Sequence, residues 1–189
     1  VEEDYYVAGL QFIELNGGDI ATSSLGYIDW YTQADLDGMS AVTTRAVNIA
    51  TQNGVHCCTA AGNSGNDTDP TTSHLIAPAD AFDVITCGAV DSTGALAAFS
   101  SDGSTADGRA KPEVLAWGVS TVAASPSDTT SLVTVSGTSL STPLIAGAVA
   151  CLTGSKPNWS VSALRKQAFA TATSIGAPQP DPLFAEGFG

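Results

Sequence analysis

Basic residues are scarce in this sequence of 189 residues, where six lysines and arginines stand against 19 aspartates and glutamates. The formal net charge of −13 repels phosphate groups, so we expect neither nucleic acid nor an anionic membrane surface as a partner. Long apolar runs are also missing. The longest, residues 143–152, has about half of the ~20 residues that a membrane-spanning helix needs, and it predicts a buried helix instead.

Histidine and cysteine, which often bind transition metals, number only two and four. The cysteines lack the spacing of a zinc-ligand set, and all four lie in apolar segments: Cys57, Cys58, Cys87 and Cys151. We therefore expect no cofactor for catalysis. Buried free thiols are favoured, and a disulfide is the alternative.

The sequence does contain a regular alternation of helical and strand-like segments. Helical spacing of apolar residues and short apolar runs predict helices at 4–15, 40–53 and 157–172, and strands at 19–26, 55–61 and 83–90. A polar loop at 100–109 and a hairpin arm at 129–137 precede the apolar helix. The alternation predicts an α/β fold whose sheet is largely parallel and covered by helices on both faces.

Residues 136–147, SGTSLSTPLIAG, join glycine and small hydroxyl residues to the start of the apolar helix. A serine at a helix start lies beside unpaired backbone N–H groups and the positive end of the helix dipole, which stabilise developing negative charge. Ser139 is therefore the candidate nucleophile. Pro143 comes four residues later and cannot donate a hydrogen bond to the Ser139 carbonyl. Taken alone, the pattern also fits an ordinary helix cap.

Four segments of this sequence occur together in one order: SSLG at 23–26, AAGNSG at 60–65, DGRAKPEV at 107–114 and SGTSLSTP at 136–143. In these segments the sequence resembles the subtilisin-like serine proteases, over essentially all of residues 1–189. The resemblance implies the C-terminal, serine-bearing portion of that fold and a serine endopeptidase acting on peptides or proteins. Ser139 would form the acyl-enzyme, and the Asn63 side chain and the Ser139 backbone N–H would form the oxyanion hole.

The same resemblance places a substrate pocket between two short segments. The residues of one wall would be Ser24, Leu25 and Gly26, and those of the other Ala60, Ala61 and Gly62. His74 would line this pocket or face solvent. A structural calcium ion is also compatible with the resemblance.

The resemblance fails at two of the three catalytic residues. Subtilisin-like enzymes carry an aspartate and a histidine on segments that precede every motif found here. His56 lies in a predicted buried strand and His74 follows the Asn63 loop, so we expect neither to be the general base. We expect instead an upstream fragment of the same precursor, carrying both missing residues, as a partner. The alternative is a catalytically inactive protease fold that serves as a binding or scaffold protein.

The position of the strand 19–26 within the sheet depends on whether the upstream fragment is present. In the family's sheet this strand is interior, so without the upstream fragment it would be an edge. It has neither lysine nor proline to protect that edge. We therefore expect the chain to be stable and active only with the fragment.

Two glycosylation sequons occur, at Asn66 and Asn158. They predict a secreted, extracellular glycoprotein. Asn158 is the expected acceptor, because Asn66 is close to the predicted cleft.

Overall fold

The structure is a computed structural model that describes residues 1–172 and 185–189. Its helices are α1 (Glu2–Leu15), α2 (Val42–Gln52), α3 (Thr138–Ser155) and α4 (Val161–Ala170), with a short 3-10 helix at Gln33–Asp35. Its strands are β1 (Ile20–Ser23), β2 (His56–Ala60), β3 (Ile85–Val90), β4 (Gly103–Ser104), β5 (Ala110–Lys111), β6 (Val114–Trp117), β7 (Thr121–Ala124) and β8 (Leu132–Val135).

Four of the strands form one parallel sheet in the order β1-β2-β3-β6. The pairs β4–β5 and β7–β8 are small antiparallel ribbons, and the second contains the predicted hairpin arm. The predicted strand 19–26 is shorter than expected, because its pairing with β2 ends at Ser23 opposite Thr59. The predicted helix 157–172 begins only at Val161, where Ser160 Oγ accepts a hydrogen bond from Ala163 N.

Both faces of this sheet carry helices, as the sequence predicted. The alternation of side chains along β2 shows the arrangement, since Cys57 and Cys58 point to opposite faces. Cys57 packs with Leu10 of α1 and Val47 of α2, whereas Cys58 packs with Val149 of α3 on the other face. Both cysteines, and Cys87 of β3, are buried free thiols.

A buried charge cluster fixes α4 to the sheet. Glu113 Oε1 accepts hydrogen bonds from Lys111 Nζ and Arg165 Nη2, while Glu113 Oε2 accepts one from Thr86 N. Lys111 is 1% exposed, and burial lowers the pKa of its ammonium group to about 8. The lysine and glutamate of the DGRAKPEV segment therefore form an internal pair that joins two elements.

The prediction that residues 143–152 form a buried helix is wrong for one face of α3. Positions Leu144, Gly147, Ala148 and Cys151 follow helical i, i+3, i+4, i+7 spacing and are all exposed. The expectation that Cys151 is a buried thiol is wrong for the same reason. Among the helices of the described ranges, none is long and apolar enough to cross a membrane.

Candidate active site

Ser139 is the second residue of α3, directly after the helix begins at Thr138. Pro143 lies inside the helix and has no N–H for the Ser139 carbonyl. That carbonyl instead accepts a hydrogen bond from Ser24 Oγ at 2.8 Å, and Ser139 Oγ lies 3.4 Å from the Ser24 carbonyl oxygen. The proline thus frees a helix carbonyl, which joins the candidate nucleophile to the segment that follows β1.

Asn63 lies in the loop after β2 and is held by the start of α3. Its Oδ1 accepts hydrogen bonds from Thr138 N at 2.9 Å and Thr138 Oγ1 at 3.1 Å. Because the oxygen is engaged in this way, the amide NH₂ group is the end that remains to donate. The network fixes which way the side chain points.

Both proposed oxyanion donors lie close to the same point beside Gly137. A Cβ atom placed on Gly137 would lie 3.6 Å from Asn63 Nδ2 and 3.7 Å from both Asn63 Oδ1 and Ser139 N. Any side chain at position 137 would occupy this space. The structure therefore has Asn63 and Ser139 N close to the same point, and the oxyanion-hole roles of Ser139 and Asn63 stay predictions.

The two predicted pocket walls are joined by a segment that the sequence did not point to. Ile76 N donates a hydrogen bond to Ala61 O, and Ala77 exchanges two backbone hydrogen bonds with Tyr27. The Ile76 side chain packs against both walls, since its Cδ1 occupies the place that a Cβ on Gly26 would take, and a Cβ on Gly62 would lie 3.3 Å from its Cγ1. Ile76 therefore fills the space between them.

Neither histidine is a hydrogen-bond partner of Ser139 Oγ. His56 opens β2, so about four residues at ~3.3 Å each separate it from the Ala60 end of the strand. It is 4% exposed, its Nδ1 has no partner among the described residues, and burial lowers its pKa. His74 Nδ1 is 2.6 Å from Asp102 Oδ1, beside the loop after Asn63. Within residues 1–172 and 185–189, the Ser24 carbonyl is the one polar partner of Ser139 Oγ.

The described part of the chain contains no group of three or more histidine, cysteine, aspartate or glutamate residues that could hold a metal ion. This finding does not bear on calcium ligands from backbone carbonyls. A structural calcium site stays a prediction.

Ser139 at the start of α3 and Asn63 in the loop after β2 lie within the part of the chain that matches known proteins. The sequence profile of the Subtilase family, Peptidase_S8, matches residues 2–189. The chain belongs to the subtilase family. Subtilisin DY of Bacillus licheniformis is 36% identical over 170 residues, and subtilisin BL of Lederbergia lenta is 33% identical over 169 residues.

The chain spans about half the length of these subtilase relatives. The match to subtilisin DY covers 90% of this chain and 55% of the relative, and the match to subtilisin BL covers 89% and 54%. The self-cleaved protease domain of PatA is similar in structure, with a TM-score of 0.70 and 26% identity over 89% of this chain and 58% of that one. The prenylagaramide maturation protease PagA shares the fold with a TM-score of 0.72 at 23% identity, over 97% of this chain and 62% of that one.

Several residues around the site were missed by sequence reasoning. Thr138 lies inside the quoted SGTSLSTP segment, but only the structure shows that it holds Asn63. Ile76, Ser101 and Asp102 carry no local motif. Their partners lie between 14 and 50 residues away, so no spacing rule could have found them.

Proposed function

We propose that this chain is the serine-bearing part of a serine endopeptidase, in which Ser139 forms an acyl-enzyme with the carbonyl carbon of a peptide bond. The proximity of Asn63 Nδ2 and Ser139 N to one point beside Gly137 is the observation that carries this proposal. An oxyanion placed there would receive two hydrogen bonds from neutral, preorganised donors. Such donors stabilise a tetrahedral intermediate without moving.

The reaction needs a base that accepts the proton of Ser139 Oγ as this oxygen bonds to the carbonyl carbon. The protonated base then gives that proton to the leaving amine, and the C–N bond breaks. Water, deprotonated by the same base, attacks the acyl carbon. The bond from this carbon to Ser139 Oγ breaks, Oγ takes the proton back from the base, and the second product leaves. Since neither His56 nor His74 is placed for this role, we infer that an upstream fragment of the same precursor supplies the histidine and its aspartate.

The edge of β1 supports such a partner. No described residue pairs with the outer edge of β1, whereas at the opposite edge Leu115 N of β6 donates to Gly189 O. Beside the open edge, α1 and β1 enclose an apolar groove of about 360 Å³ lined by Tyr5, Tyr6, Leu10, Ala21 and Leu25, among others. An added strand would satisfy the free backbone groups of β1 and cover this groove.

The exposed face of α3 supports the same partner independently. The face formed by Leu144, Gly147, Ala148 and Cys151 carries no polar side chain, and Leu144 is 49% exposed. A helix that is apolar on every side is ordinarily covered on every side. The upstream fragment would bury this face while placing its histidine near Ser139.

A fluorophosphonate probe, which reacts with activated serines, tests the proposal. We expect the protein carrying the upstream segment to be labelled at Ser139, and residues 1–189 alone to be labelled at least about 10²-fold more slowly, the scale of general-base catalysis. Ser139→Ala should lose the label. Ser136→Ala, which removes an exposed neighbouring serine, should keep it.

Two outcomes would count against this assignment. Equal labelling of residues 1–189 alone would show that this chain holds its own base and would refute the partner. Absence of labelling and of peptide hydrolysis with the upstream segment present would favour the binding or scaffold protein.

We also propose that the protein is secreted and that Asn158 is its glycosylated residue. Asn158 is exposed, whereas Asn66 Nδ2 donates hydrogen bonds to Ala97 O and Ser100 O, so a glycan on Asn66 would break both. Mass spectrometry of tryptic peptides from the native source should find the glycan on Asn158. Unmodified Asn158, or a glycan on Asn66, would contradict this.

A further inference from the structure

The loop that carries Asn63 is fastened on both sides of this residue by Ser101. Ser101 N donates a hydrogen bond to Gly62 O at 3.0 Å, and Ser101 Oγ accepts one from Ser64 N at 3.0 Å. The two bonds join the residues immediately before and after Asn63. Ser101 is 0% exposed, so water cannot replace either bond without displacing the residue.

Neighbours of Ser101 continue this contact along the loop. The bonds run from Gly65 N to Phe99 O, from Asn66 Nδ2 to Ala97 O and Ser100 O, and from Asp67 N to Asp102 Oδ2. The other oxygen of Asp102 is paired with His74. Each residue from 64 to 67 is thus held by the segment 97–102, and Asn63 lies at the active-site end of this series.

We propose that Ser101 is a positioning residue that sets the direction of the Asn63 amide towards the oxyanion. Thr138 holds the side-chain oxygen of Asn63, but the backbone on either side of Asn63 is held by Ser101. Gly62 permits the contact, because a Cβ there would lie 2.6 Å from Ser101 Oγ. The proposal rests on the proposed function, since the amide's direction matters for catalysis only where an oxyanion forms.

Ser101→Ala removes the acceptor of Ser64 N and leaves this part-buried N–H without a partner. The loop then moves to expose that group to water, and Asn63 Nδ2 is displaced from its direction. Because Thr138 still holds Oδ1, we expect a partial loss. The turnover number kcat should fall by about 5- to 30-fold, the scale of one buried neutral hydrogen bond, with little change in KM.

Ser100→Ala is the matched control. Ser100 is the adjacent residue and 1% exposed, and its Oγ also accepts one backbone hydrogen bond, from Ala89 N of β3 at 3.0 Å. Ser100→Ala removes a buried serine Oγ, as Ser101→Ala does, but it breaks no hydrogen bond to the residues next to Asn63. The free energy of unfolding should fall by a similar amount in both variants. Ser100→Ala, however, should keep kcat within about twofold of the parent protein.

The experiment combines each serine variant with Asn63→Ala in the protein carrying the upstream segment, using steady-state peptide hydrolysis. If Ser101 acts through Asn63, Ser101→Ala should cost less than about twofold in kcat once Asn63 is absent. The same fold loss in both backgrounds, or a loss in Ser100→Ala as large as in Ser101→Ala, would overturn the proposal.

Amide hydrogen exchange on the same proteins separates this proposal from the proposed function. Ser101→Ala should speed exchange of Ser64 N–H by at least about tenfold and Ser100→Ala should not, whether or not any peptide is cleaved. Unchanged Ser64 exchange would overturn the positioning role even in an active enzyme. A protein with the expected exchange pattern but no hydrolysis would refute only the proposed function.

Discussion

The two halves of the candidate site differ in how completely this chain builds them. Around Asn63, Thr138 holds the side chain and Ser101 holds the peptide groups on both sides. Around Ser139, the hydroxyl lies 3.4 Å from a carbonyl oxygen, and β1 beside it has an unpaired outer edge among the described residues. In the proposed function, the half that would stabilise negative charge is held entirely by this chain, whereas the half that would activate the nucleophile needs a base from elsewhere.

This difference follows from what each task requires. Stabilisation of negative charge needs donors that are held rigidly, and hydrogen bonds within residues 1–189 can hold them. Activation of a hydroxyl needs a titrating group within hydrogen-bond reach, which α3 and the Asn63 loop do not contain. Substitutions in the complete half should therefore change turnover through the chain's own contacts.

The largest effect should come from Asn63→Ala. We expect kcat to fall by about 10²–10³, the figure for the equivalent asparagine of subtilisin itself, a relative from which we carry it over. KM should stay nearly unchanged, because the donor acts mainly on the transition state. Steady-state kinetics on a peptide substrate measures both, with Asn158→Ala as the control at an exposed asparagine. A rise in KM with unaltered kcat would refute the assignment.

A smaller effect should come from Ile76→Gly. Because Ile76 fills the space between the two predicted pocket walls, the parent protein should prefer small side chains before the cleaved bond. Removing the side chain should shift the ratio of kcat/KM for Phe over Ala substrates by about 10- to 200-fold towards Phe. Ile76→Val, which keeps most of the volume, should move the ratio little. An unchanged ratio in Ile76→Gly would place the substrate side chain elsewhere.

The smallest effect should come from His56→Leu, which tests the histidine that the account excludes from catalysis. Burial lowers the folded-state pKa of His56, so below about pH 6.5 the unfolded chain takes up a proton that the folded protein does not. The parent protein should therefore lose stability as the pH falls through this range, by at most about 1.4 kcal/mol per pH unit from this group. The free energy of unfolding of His56→Leu should fall less between pH 7 and pH 5 than that of the parent protein. Denaturant titrations at the two pH values measure this difference.

Activity gives the second readout for His56. At pH 7 the variant should keep the parent kcat, because His56 is buried at the start of β2, away from Ser139. A loss of probe labelling in folded His56→Leu would make His56 the base.

The sequence predicted the parallel sheet with helices on both faces because apolar periodicity is a local signal that tertiary packing here reinforces. It also pointed to Ser139 and Asn63, whose segments the family resemblance covers and whose catalytic roles stay predictions. It could not predict Ser101, whose bond to Ser64 joins residues 37 apart without a motif. The sequence-based prediction was wrong about the outer face of α3. An apolar helix sequence predicts that the helix is covered, but it does not show whether residues 1–189 themselves supply the covering surface.

The reactivity of Cys151 tests most directly whether an upstream segment covers that face. The other three cysteines are buried, and burial raises the pKa of Cys57 and Cys58 to about 12, so Cys151 should be the thiol that reacts when accessible. In the protein carrying the upstream segment, we expect Cys151 to react at least about tenfold more slowly than the thiol introduced by Ser127→Cys at an exposed loop position. Equal rates for the two thiols, in a protein that a fluorophosphonate labels at Ser139, would contradict the account.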